Sequence, residues 1–153
     1  MPTPTLTPVP PPPSPPQGGE TYRLTVPNTA NAPKIAREFL ATLLHVSRHD
    51  ALADDARLCV TELVTNAHRH TRTHLIGVTV AVNRKQVAVY VTDDMPWSLP
   101  VPNLTPTEQE LGCGQGVFLL DRLAETWGST IYGGPSPSYK AVWFTLARPE
   151  MPS

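Results

Sequence analysis

Cysteine is scarce in this chain, with only Cys59 and Cys113 among 153 residues. That density excludes a disulfide-stapled secreted scaffold and leads us to expect a reducing compartment, the cytoplasm. Excess charge is also missing. Twelve basic residues against 13 acidic ones leave a formal net charge of −1. There is therefore no bulk basic field to gather nucleic acid or an anionic membrane surface, and neither is expected as a partner. No apolar run approaches the ~20 residues that span a bilayer. The N-terminus has prolines where a signal peptide would carry its charged and apolar regions. What remains is enough for one compact domain, since 40% of the residues are hydrophobic.

Proline is abundant but badly spread. The opening MPTPTLTPVPPPPSPPQGG holds about half of the chain's 19 prolines. Proline removes backbone donors and fixes φ, so residues 1–19 read as a disordered, extended tail jointed at Gly18 and Gly19. Its P-x-x-P spacing would suit a proline-binding module, though a plain solvated tail is the simpler reading. The folded domain is expected over residues 20–148, with a short tail at 149–153.

From Glu20 the pattern changes. TYRLTV alternates as a half-buried strand does. Thr29 or Asn31 can cap a helix in which Ala32, Ile35, Ala36, Phe39, Leu40, Leu43 and Leu44 follow helical spacing, with Pro33 in its first turn. A second helix runs from about Asp50 to His70. Two valine-rich runs, 75–82 and 86–92, are joined by the polar NRK as a hairpin. After Asp93 comes a long proline-bearing stretch to Leu111, then GCGQG, a helix VFLLDRLAE, a Gly-marked turn and the closing strand YKAVWFTLA. This order predicts an α+β two-layer sandwich, with helices on one face of a mostly antiparallel sheet. A 19-residue loop inside a compact domain calls for a functional explanation.

The second helix raises the chemical question. Leu52, Ala56, Cys59, Val60, Leu63 and Ala67 make one apolar stripe, and Glu62 and Asn66 fall beside it with Asp55 and Arg69. An ordinary core boundary accounts for such a pair taken alone. Two further features point beyond it: Asp93 at the end of a valine-rich strand, and Gly112, Gly114 and Gly116 opening a helix. Carboxylates, a neutral amide oxygen and free N–H groups at a helix N-terminus are the parts needed to hold a nucleotide and its Mg²⁺. One amide oxygen suffices for a metal that keeps most of its water.

The succession ELVTNAHRH, VYVTDD and GCGQGVFLLDRLAETWG resembles the GHKL superfamily, the histidine kinase-like ATPases and kinases. More narrowly, it is similar to actinobacterial ATP-binding regulators of the anti-sigma-factor serine/threonine kinase type. The resemblance covers roughly Tyr22 to Leu146 and implies the Bergerat fold of that superfamily. It also implies that Glu62 orients or deprotonates the attacking hydroxyl and that Asn66 ligates Mg²⁺. Asp93 would accept a hydrogen bond from the adenine amino group, and Gly112, Gly114, Gly116 and Val117 would surround the phosphates of ATP. Segment 98–111 would be the ATP lid. Family members commonly carry glycines two and four residues after the adenine-binding Asp; here Met95 and Trp97 stand there, and their bulk reshapes the adenine pocket.

Other constellations are weaker. His68, His70 and His74 suggest zinc, yet on a helix His68 and His70 point nearly opposite ways. His70 is better placed to pack or to cap the helix C-terminus. A lone G-x-G-x-G that follows a proline-rich loop is not a Rossmann site. Cys113 has no base partner in sequence and reads as loop filler. The resemblance implies a cytoplasmic kinase acting on a small protein partner, anti-anti-sigma-like or a sigma factor, and admits a homodimer. The alternatives are a non-catalytic, nucleotide-gated partner-binding module, or an ATPase half whose phosphoacceptor lies on another chain.

Overall fold

The computed structural model of the protein describes residues 19–96, 115–136 and 138–148, with backbone only over 115–118. Its elements are β1 (Glu20–Pro27), α1 (Ala32–Val46), α2 (Asp50–His70), β2 (Leu75–Val82), β3 (Gln86–Asp93), α3 (Gln115–Leu123), β4 (Thr126–Tyr132) and β5 (Tyr139–Ala147). The strands form one antiparallel sheet in the order β1-β2-β3-β5-β4. This is the α+β sandwich that the order of elements predicts. The proline-rich opening, Trp97, the lid segment 98–111, Gly112, Cys113 and Gly114 lie outside the described residues.

Alternation decides which side of the sheet is covered. Val87, Val89 and Val91 of β3 stand opposite Leu146, Phe144 and Val142 of β5, and all six belong to the buried core with Ile76, Val78 and Val80 of β2. Side chains of one strand point to opposite faces in turn, so this row faces the helices. From above, Leu40, Leu44, Cys59, Val60, Leu63 and Val64 close it, each 3% exposed or less. The stripe expected on α2 is buried throughout, with Val64 added. On α1 the spacing holds except at Ile35, which is 45% exposed. Asn31 takes the N-cap position but its side chain makes no capping bond, and the Thr29 hydroxyl instead accepts the Asn31 N–H at 3.3 Å.

The turns explain how the layers are tied. Asn83 Oδ1 accepts the N–H groups of Lys85 (2.9 Å) and Gln86 (2.8 Å), which fixes the β2–β3 hairpin. His49, buried in the α1–α2 turn, donates from Nε2 to the Asn83 carbonyl at 2.6 Å. One hydrogen bond thus joins the helical turn to the sheet turn.

One element differs from the sequence expectation. The stretch before β5, read as a Gly-marked turn, contains the edge strand β4. Its glycine is there for packing. A Cβ on Gly128 would lie 2.8 Å from the Trp143 ring, its cross-strand partner, so only glycine lets the indole lie across β4. The true turn follows at Gly133 and Gly134, both at positive φ, and is closed by stacked Tyr132 and Tyr139 rings 4.7 Å apart.

Candidate functional site

The helix α2 places Glu62 and Asn66 one turn apart, both half-buried at the border of the apolar stripe. Asn66 Oδ1 is buried and has no hydrogen-bond partner among the described residues. A buried amide oxygen left bare is costly unless something else supplies the contact. Glu62 lines a cleft of about 440 Å³ with Arg37, Asp54, Arg57, Leu58 and Thr61. Burial raises its carboxyl above the ordinary glutamate value of 4.5, with Arg69 pulling weakly the other way. Glu62 therefore holds a proton more readily than a solvated glutamate, which suits a base that must accept one. The neighbouring Cys59 thiol is pushed up to about 12, first by burial and then by Asp55 and Glu62, and is inert in the folded state.

Asp93 ends the core row described above, and its register partner is Lys140. The apolar pairs Val87/Leu146, Val89/Phe144 and Val91/Val142 thus terminate in a charged pair on the same face. Lys140 Nζ donates to Asp93 Oδ1 at 2.8 Å and to Oδ2 at 2.7 Å, with side chains 2% and 3% exposed. It also donates to the Met95 carbonyl at 2.9 Å, while the Met95 N–H donates to Asp93 Oδ1 at 2.8 Å. Lys140 was not among the residues singled out from the sequence. Its signal was a lone lysine in YKAVWFTLA at the parity of Val142, Phe144 and Leu146.

Of the glycine-rich segment, Gly116 and Val117 fall in the first turn of α3, and the Val117 side chain lies outside the described residues, as do Gly112 and Gly114. The helix packs against α2, the helix that carries Asn66. Among the described residues no three His, Cys, Asp or Glu side chains are grouped to hold a metal. His68 Nδ1 instead donates to Asn28 Oδ1 at 2.6 Å, and Asn28 Nδ2 donates to the Thr73 carbonyl at 2.8 Å, linking α2 to the loop after β1. Asn66 Oδ1 would offer a cation one neutral oxygen. That fits a Mg²⁺ carried in by phosphates and water rather than an all-protein cage. No helix of the described residues is long and apolar enough to cross a membrane.

Comparison with known families matches residues 26–145 to the histidine kinase-like ATPase domain. No protein of curated function matches the chain significantly.

Proposed function

The chain belongs to the histidine kinase-like ATPase family, and we propose that it is a cytoplasmic, ATP-dependent serine/threonine protein kinase of the anti-sigma-factor type, acting on a small protein partner. The observation that carries the reading is Glu62, a carboxylate with raised proton affinity facing a cleft, one helical turn from the unpartnered Asn66 Oδ1.

Phosphoryl transfer asks little covalent work of a protein; it needs the acceptor hydroxyl in line with the γ-phosphate and its proton directed to a base. In this reading the acceptor side chain enters the cleft beside Glu62, and the Glu62 carboxylate takes the hydroxyl proton. Asn66 would hold Mg²⁺ through Oδ1, and Asp93 would orient the base. Gly116 in the first turn of α3, with Gly112 and Gly114 before it, would offer backbone N–H groups to the phosphates. When bound, Mg²⁺ neutralises charge on the phosphate oxygens.

The test is single-turnover labelling of the co-purified partner with γ-labelled ATP, comparing wild type with Glu62→Gln. Transfer to serine or threonine by the wild type, lowered roughly 100-fold in the variant with ATP and partner binding retained, is the expected result. Wild type that binds ATP and partner but labels nothing would replace the kinase with a nucleotide-gated binding module. Equal labelling by both proteins would remove Glu62 from its role.

A further inference from the structure

A bare carboxylate at the base site would read an amino group and repel a carbonyl oxygen. Asp93 is not bare. Among the described residues, Oδ1 accepts from both Lys140 Nζ and the Met95 N–H, and Oδ2 accepts from Lys140 Nζ alone. A carboxylate oxygen has two lone pairs, so Oδ1 is filled and Oδ2 keeps one place for a ligand. The ammonium beside it has three N–H groups, two on the carboxylate and the third on the Met95 carbonyl.

We infer that Lys140 sets the base selectivity of the site, relaxing it so that 6-oxopurine nucleotides are accepted alongside 6-aminopurine ones. This rests on the reading of Asp93 as the base-binding carboxylate. Two physical effects combine. First, the ammonium, 2.7 to 2.8 Å from both oxygens, cancels the negative charge that would reject a carbonyl. Second, it supplies a donor. Its two bonds to the carboxylate are buried and charge-assisted and hold it in place. The bond to Met95 is different: it is the longest of the three at 2.9 Å, its acceptor is neutral, and Met95 is 38% exposed. Water can satisfy that carbonyl when the N–H turns away, so this donor is the inexpensive one to redirect.

Adenine presents a 6-amino donor beside the N1 acceptor, and hypoxanthine presents a 6-oxo acceptor beside an N1–H donor. A 6-amino group donates to Asp93 Oδ2, and a 6-oxo group in the same place accepts from the redirected N–H of Lys140, whose Nζ adjoins Oδ2 at 2.7 Å.

Inosine triphosphate tests this cleanly, because it differs from ATP in the 6-substituent and the N1 proton and lacks the 2-amino group of guanine. The full chain is titrated calorimetrically with each nucleotide in the presence of Mg²⁺. Wild type is expected to bind the two within about tenfold of each other. Lys140→Met, similar in length but without the ammonium, is expected to lower the inosine-to-adenosine affinity ratio by about a further tenfold. Wild type that binds ATP but inosine triphosphate more than about tenfold more weakly overturns the inference, as does a ratio that Lys140→Met leaves unchanged. If Lys140→Met is too unstable to titrate, the wild-type ratio decides alone. Failure of wild type to bind either nucleotide removes the nucleotide site itself and this inference with it, which is distinct from rejecting the 6-oxo base only.

Discussion

Lys140 on β5 and Asp93 on β3, 47 residues apart in sequence, hold each other through two hydrogen bonds with side chains only 2% and 3% exposed. Removing one partner leaves the other as a desolvated, uncompensated charge. Lys140→Met and Asp93→Leu, made singly, should each cost about 3 to 5 kcal/mol of stability. The double replacement should recover most of that loss, because two apolar side chains do not need each other's charge. Urea unfolding of the four proteins gives the cycle directly. Single variants that cost under ~1 kcal/mol, the range of an exposed pair, would mean that the pair is open to solvent.

Asn66 offers a second check. Its Oδ1 makes no hydrogen bond with a described residue and its side chain borders the core stripe without filling it, so Asn66→Ala should leave the melting temperature nearly unchanged. Mg²⁺-dependent ATP affinity should disappear. Calorimetry with Mg²⁺ and then with EDTA separates the two readouts, and undiminished binding in the variant would remove the metal ligand from its assignment.

The raised proton affinity of Glu62 has a sign that can be followed. A base works only when deprotonated, so transfer should rise with pH through a midpoint above 4.5, the ordinary glutamate value. For stability the direction is opposite. The folded state binds this proton more tightly than the unfolded chain, so the contribution is fully present below the unfolded pKa and is lost as pH rises through the folded one. Glu62→Gln cannot ionise and should show a flatter stability profile over that window. The difference will be small, since the side chain is only half-buried and partly screened. A transfer profile with no midpoint above the ordinary value would contradict Glu62 as the base.

Cys59 should be silent to thiol reagents. It is fully buried and its pKa is pushed up to about 12, so almost no thiolate exists at neutral pH. In a Cys113→Ser background, modification by a disulfide reagent should proceed only as fast as the protein opens, and should accelerate with urea in step with unfolding. Rapid labelling of the native protein would place Cys59 nearer the surface than the fold allows.

Much of this molecule was legible along the chain. The periods of 3.6 and 2 locate α1, α2, β2, β3 and β5, because amphipathic spacing is a local property of the sequence. The pairing of Glu62 with Asn66 was equally readable, since residues four apart on a helix share a face whatever surrounds it. Strand β4 was obscured because Gly128 looks like a turn signal until Trp143 is seen lying across it. The state of Asp93 was beyond reach for a stronger reason. Nothing local relates it to Lys140; the two meet because β5 lies between β3 and β4 in a register that sets Asp93 opposite Lys140. The sequence by itself determined which residues could carry charge at the edge of the core. Only the tertiary structure decided that this carboxylate would be matched by an ammonium, because register, burial and electrostatic pairing are set jointly by contacts between distant segments.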